Sequence, residues 1–352
     1  VTHTTPFVDS AELPRMIRAN VLIGTGSMRM TERPIPTPLP GEVLVRVHAV
    51  GVCGSDAHYF REGRIGPHVV TGPLILGHEA SGRIAAVGAG VDPDRIGQRV
   101  SIEPQKPDPT STESKAGHYN LCPHMEFYAT PPVDGALTDY VTIGADFAHR
   151  IADSVSYEAA ALFEPLSVAI ASARKAGVTA GSRVLVAGAG PVGMLTAQVA
   201  RAFGATEVVV SDVDPLRRER ALDFGATSVV DPTISNVREL AVNAFIDASG
   251  ATAAVIDGIH AVRPAGTVVL VGMGADEIPL PVPIIQNREL VLTGVYRYAN
   301  TWPTAAALVA AGRVDLDSMV TGRYTLEQSS EALEADRIPG SIKAVVMVTE
   351  GD

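Results

Sequence analysis

Between residues 43 and 143 the apolar positions fall in short runs broken by Gly and Pro. Residues 43–52 (VLVRVHAVGV), 81–87, 99–102 and 137–143 read as strands, and no long helical period joins them. This pattern predicts an irregular, β-rich unit. Residues 104–135 show little periodicity, and a segment of that length is usually functional or specially tethered. From about Pro165 the period changes. Apolar runs at 184–187 and 208–211 are each followed by helical spacing, from Pro191 and Pro215. Shorter β-like runs follow at 228–230, 245–247, 268–271 and 290–294. Alternation of this kind predicts a parallel sheet covered by helices on both faces. Asp214 is placed to cap its helix, with Pro215 at the first position and Gly225 near the end. A helical segment (302–311) and a terminal strand (342–348) complete the chain.

A length of 352 residues allows about two domains, each with its own core. The hydrophobic fraction of 46% is that of a globular chain. A formal net charge of −11 argues against a polyanionic partner, and the densest basic run, Arg217-Arg218-Glu219-Arg220, is interrupted by acid. No nucleic-acid partner is expected. The N-terminal stretch has no apolar core of the signal type, and the longest uncharged run, between Arg183 and Arg201, reads as strand-turn-helix. There are only two cysteines, Cys53 and Cys122, and with Cys53 as a metal ligand no disulfide framework remains, which fits a reducing compartment. The expectation is a cytoplasmic protein without a membrane segment.

Two constellations carry chemistry. Cys53, His78 and Glu79 bring a thiol, an imidazole and a carboxylate into 27 residues, with Gly77 allowing close backbone approach. About three such donors make a catalytic zinc site that keeps one position open. The second constellation is RVLVAGAGPVG, residues 183–193, in which Gly188, Gly190 and Gly193 follow an apolar strand. Pro191 and Val192 then open a helix whose N-terminal N–H groups suit a pyrophosphate. A second strand, EVVVSD, ends in Asp212, whose charge suits ribose hydroxyls and repels a 2′-phosphate. Arg217 is placed to stack on adenine, the alternative being that it binds a 2′-phosphate. A dinucleotide fold with a Cys/His/Glu site points to metal-assisted hydride transfer.

The chain resembles the zinc-dependent medium-chain dehydrogenases, and within them the polyol (sorbitol) dehydrogenases. The resemblance is carried by Cys53-Gly54-Ser55-Asp56, GHEASGRIAAVG (77–88), Glu164-Pro165-Leu166-Ser167, GAGPVG, and Arg297-Tyr298 followed by Asn300-Thr301-Trp302-Pro303. It implies an α/β protein in which a GroES-like β-rich catalytic domain (1–164, completed by 299–352) accompanies a Rossmann, doubly wound NAD-binding domain (165–298). It further implies Zn²⁺ and NAD as cofactors, a polyol secondary alcohol as substrate, and a homodimer or homotetramer.

By resemblance Cys53, His78 and Glu79 are metal ligands, and Glu164 is a further acid that holds water at the metal. Chemistry alone leaves open which of the two glutamates binds directly. Asp56 matches an acid that orients the histidine, and Ser55 and His58 match a proton relay. The plainer alternatives are a turn-capping serine and a solvated histidine. Tyr59, Phe127, Thr130, Arg297 and Tyr298 match the substrate pocket, the alternative being an ion-pairing Arg297 and a core Tyr298. In one place the chain departs from many relatives, which hold a structural zinc with four cysteines. Here those positions read Asp108, Ser111, Ser114 and Cys122. That set cannot replace a Cys₄ site, so one catalytic zinc per chain and no structural zinc are expected. The rival readings are a dehydrogenase of a simpler diol, secondary alcohol or threonine, and a dinucleotide-binding protein without turnover.

Overall fold

A computed structural model of the chain describes residues 13–349 and the backbone of residues 7–8. Of the N-terminal stretch read for a signal segment, residues 1–6 and 9–12 lie outside the described residues. No helix among the described residues is long and apolar enough to cross a membrane.

The chain divides into two compact units, Val1–Glu164 with Leu316–Asp352, and Pro165–Asp315. The first is built on an eight-stranded sheet. Along it run Ala148–Arg150, Arg99–Ile102, Glu79–Val87, Glu42–Gly51, Lys343–Met347 and Val320–Thr325, with Tyr140–Gly144 also paired to Glu42–Gly51. Its core holds Val43, Val45, Val47, Val50, Ile84, Val100, Ile102 and Val346, all essentially buried. The short apolar runs at 43–52, 81–87 and 99–102 therefore are strands of one sheet. The run at 137–143 pairs as a strand only from Tyr140, because Leu137 donates its N–H to Leu76 O and Ala136 donates to Gly77 O in a crossing loop. Two elements escape a reading by periodicity. The hairpin Met16–Gly24/Ser27–Pro34 carries mixed polarity, and the helix Gly54–Glu62 spans 9 residues beside the candidate metal ligands.

The second unit is a six-stranded parallel sheet in the order Ser228–Val230, Glu207–Ser211, Arg183–Ala187, Val242–Asp247, Val262–Leu270, Val291–Gly294. The order reverses between Arg183–Ala187 and Val242–Asp247. With right-handed crossovers, a reversal of direction places the connecting helices on opposite faces. The segment 299–315, expected with the catalytic domain, clusters here with the dinucleotide unit instead. Arg174 donates to Asn300 O and Thr304 Oγ1, while Gln198 exchanges hydrogen bonds with the Asp315 backbone. Those bonds tie the helix Trp302–Ala310 to its own neighbours and move the chain's return to Leu316.

Candidate active site

The metal-binding constellation is positioned by the sheet and one short helix of the first unit. Cys53 sits at the N-terminal end of Gly54–Glu62, and Glu79 opens the strand Glu79–Val87. The sulfur of Cys53, a ring nitrogen of His78 and a carboxylate oxygen of Glu79 lie within 4.8 Å of one another. In tetrahedral zinc geometry neighbouring donors stand about 3.3–3.8 Å apart, so a small closure brings the three into place.

Asp56 organises the group. It is 1% exposed, and its carboxylate accepts from Gly77 N–H (2.9 Å) and Cys53 N–H (3.3 Å) and meets His78 Nδ1 at 3.3 Å. This contact engages Nδ1 and leaves Nε2 to coordinate. Burial pushes the Asp56 carboxyl upward, but His78 and the two backbone donors hold it below its usual value. Burial likewise disfavours a charged His78, yet Asp56 and Cys53 hold its pKa well above the ordinary histidine value. Gly77 proves to be required by conformation. Its φ is +88°, and an added Cβ would stand 2.8 Å from Val50 and 3.1 Å from Leu137. That unusual backbone is what aims the Gly77 N–H at Asp56.

Glu79 is fully buried. Its Oε1 accepts from the Lys343 ammonium at 2.6 Å, while Oε2 has no hydrogen-bond partner. An orphaned buried carboxylate oxygen beside a thiol and an imidazole is costly unless a cation satisfies it, so the residues present fit a divalent zinc. Gly51 makes room for this carboxylate. It lies opposite Glu79 across the strand pair, and a Cβ on it would fall 2.1 Å from Glu79 Oε2. Lys343 donates also to Val52 O at 2.8 Å. Burial would neutralise its amine, but Glu79, Cys53 and Glu164 raise its pKa above the usual lysine value.

Neither Lys343 nor Gly51 was singled out in the sequence. The available signals were a lone lysine opening the apolar run KAVVM and a glycine closing an apolar strand.

The remaining expected residues of this unit are distributed around the triad. Glu164 is 6% exposed and within electrostatic reach of Lys343, but it is not one of the three converging donors. Phe127 is buried, with its ring 5.5 Å from that of His78. Tyr59 is buried on the Gly54–Glu62 helix. Thr130 is half-buried in a turn, its N–H donating to Phe127 O and its carbonyl accepting from Val133 N–H. Ser55 is half-buried one helical turn before the exposed His58, whose Nδ1 lies 3.2 Å from Glu62. In the cysteine-poor lobe, Cys122 Sγ accepts from Asp108 N–H at 3.3 Å, and Ser111 Oγ bonds Ser114 Oγ at 2.9 Å. The four positions still gather, joined by hydrogen bonds.

In the second unit the glycine loop follows Arg183–Ala187 at the point where strand order reverses. Each glycine answers to a different constraint. Gly188 has φ +92° and stands against the Ala248–Ser249 backbone, and a Cβ at Gly193 would lie 1.8 Å from Gly188 O. At Gly190 φ is −78°, which any residue adopts, and a Cβ there would meet nothing within 4 Å. Nothing in the chain requires a glycine at 190. The space in front of it is a cradle that a Cβ would fill, as close pyrophosphate approach demands. Pro191 and Val192 open the helix Pro191–Ala202 directly behind it.

Asp212 is locked beside this loop, accepting from Ala189 N–H at 2.8 Å and Asp214 N–H at 2.9 Å. Arg217 is exposed on the next helix, loosely paired with Asp214 at 4.0 Å. Asp247, overlooked in the sequence, is buried at a strand end and accepts from Ser249 and Gly250. It shapes the glycine turn that faces Gly272 and Gly274, where added Cβ atoms would strike Gly250. Arg297 has φ +55° and lies over the Tyr296 ring, while Tyr298 is 1% exposed and tilted against Trp302.

Comparison with known proteins agrees with this geometry. Residues 39–153 match the alcohol dehydrogenase GroES-like domain, and residues 191–311 match the zinc-binding dehydrogenase domain. Sorbitol dehydrogenase of Bacillus subtilis is 42% identical over 345 residues, 95% of each chain. The solved structure of L-idonate 5-dehydrogenase from Escherichia coli superposes with a TM-score of 0.89 at 28% identity, covering 95% of this chain and 98% of that one. An E. coli alcohol dehydrogenase complexed with NADH gives 0.89 at 25% identity, over 95% of this chain and all of the other.

Proposed function

Because this chain belongs to the zinc-binding, GroES-like alcohol dehydrogenases, we propose that it is a zinc- and NAD-dependent polyol dehydrogenase converting a sugar alcohol to a ketose. The observation that carries this reading is the convergence of Cys53, His78 and Glu79, with an orphaned buried oxygen, in a chain that also builds a doubly wound dinucleotide fold. Bound at these residues, zinc would supply a Lewis acid that lowers the pKa of a substrate hydroxyl, and NAD would take the hydride.

The chain's own residues do the rest. Asp56 holds the His78 ring in one orientation. Glu164 is assigned the placing of a water at the metal. Ser55 and His58, one helical turn apart, are assigned the passage of the alcohol proton outward, ending at the exposed His58 imidazole beside Glu62. By the resemblance, Phe127, which packs near His78, is assigned to substrate binding together with Tyr59, Thr130, Arg297 and Tyr298. A cytoplasmic setting and a dimeric or tetrameric assembly complete the proposal, the first supported by two unpaired cysteines.

The substrate class is tested by NADH formation on four- to six-carbon polyols against 2-butanol. A site that hydrogen-bonds several hydroxyls should favour the polyols by about tenfold or more in kcat/KM, one such bond being worth about 1 kcal/mol. Arg297→Ala should cost the polyol more than the simple alcohol. Better turnover of 2-butanol than of every polyol by the wild type would exclude the polyol assignment.

Cofactor choice is tested separately. The Asp212 carboxylate, pinned by Ala189 and Asp214, is assigned to the ribose hydroxyls, where its charge would oppose a 2′-phosphate. NAD should be preferred over NADP in kcat/KM. Asp212→Ala should weaken NAD by about 10- to 100-fold, the range for a hydrogen bond to a charged group, and narrow the gap. Equal use of both cofactors by the wild type would refute the assignment.

A further inference from the structure

Three neighbouring strands place a cation against the metal-binding carboxylate. Glu79 lies opposite Gly51, and Gly51 lies opposite Val345. Lys343, two residues from Val345, shares its face of the sheet. The missing Cβ of Gly51 leaves room for the Glu79 carboxylate, whose Oε1 meets the Lys343 ammonium at 2.6 Å, and the same ammonium donates to Val52 O at 2.8 Å. Lysine 4% exposed and glutamate 0% exposed form a fully desolvated pair, and breaking it would leave an uncompensated buried charge. The geometry uses one oxygen of Glu79 and leaves Oε2 without a partner.

We propose that Lys343 is a positioning residue that withholds one oxygen of Glu79 from the metal, so that Glu79 binds through a single oxygen. The inference rests on Cys53, His78 and Glu79 being the metal-binding set. Lys343 also sets a positive charge beside a site for a dication, 2.6 Å from one of its donors. It therefore moderates a donor set that would otherwise hold zinc more tightly. A carboxylate freed from Lys343 has both oxygens available, and the repulsion between ammonium and metal disappears. Both effects act in the same direction.

The test compares zinc-loaded wild type with Lys343→Met and Lys343→Gln, following metal release to excess chelator. Glutamine can still donate to Val52 O but carries no charge, so it separates a charge effect from a scaffold effect, and it decides the question should the methionine variant fail to fold. Release should slow by about tenfold or more in both variants, as removal of a nearby like charge requires. In cobalt-substituted protein the visible absorption should weaken as coordination rises. On a Glu79→Gln background the Lys343 substitutions should slow release by less than in the wild type, because only the repulsion between ammonium and metal is left to remove. Glutamine releasing zinc at the wild-type rate or faster would overturn the inference and leave Lys343 as a structural tie. A wild type that takes up no zinc would instead overturn the metal assignment beneath it.

Discussion

Replacing Cys53 by alanine should yield a folded protein without zinc and without activity. The local fold keeps other ties without the thiol, since Asp56 binds the backbone N–H of residue 53 and also holds Gly77 and His78. The metal does depend on it. His78 and Glu79 alone are two donors, below the three that a catalytic zinc site uses. Loss of a Lewis acid worth several kcal/mol lowers kcat by roughly 10³-fold or more, at about 1.4 kcal/mol per factor of ten. Elemental analysis should find about one zinc per wild-type chain and none in the variant, with circular dichroism unchanged. Ser111→Ala is the control. Its hydroxyl bonds within the lobe, to Ser114 and Cys122, so zinc and turnover should both survive. Two tightly held zincs per wild-type chain would mean that the lobe gathers a metal despite its hydroxyls. A Cys53→Ala protein that kept zinc and activity would remove Cys53 from the site.

The parts of this molecule legible in its sequence were those whose constraint is local. The short apolar runs became strands because most of their residues, on both faces, are buried, and the strand-turn-helix around Gly188 announced itself through turn chemistry and an apolar strand together. Asp214, Pro215 and the helix behind them sit as their types require, with Asp214 accepting from Leu216 N–H and Arg217 N–H. What stayed hidden is non-local. Lys343 is separated from Glu79 by 264 positions, so nothing local marks their contact and only strand pairing brings the two together. Gly51 looked like the end of a strand, and only the strand opposite it shows that it houses a carboxylate. The return of the chain at Leu316 was hidden for the same reason. It is decided by hydrogen bonds from Arg174 and Gln198, which leave no trace in the composition of residues 299–315. Gly77 shows a subtler failure. Its importance was visible, but the reason was conformational, a φ of +88° that directs its N–H to Asp56.

The glycine loop offers a separation of stability from cofactor binding, because its members are glycine for different reasons. Gly193→Ala should destabilise the protein, since the new methyl would stand 1.8 Å from Gly188 O, a backbone atom fixed by the Gly188 N–H bond to Ser211 O. Helix and loop must separate to admit it, at a cost of about 1–3 kcal/mol or more, typical of overpacking. Gly190→Ala should behave in the opposite way. Its φ of −78° suits alanine, and the methyl meets no atom of the chain, so the melting temperature should hold or rise slightly. The methyl would nevertheless occupy the space that a pyrophosphate needs in front of the Pro191–Ala202 helix. A displacement of about 1 Å at a reacting pair can cost about 10²-fold, so kcat/KM for NAD should fall by roughly that factor. Calorimetric titration with NADH should show the same loss in a protein whose unfolding is unchanged. If Gly190→Ala bound NADH as tightly as wild type, the dinucleotide would have to lie elsewhere, and the open space before Gly190 would have no part in holding it.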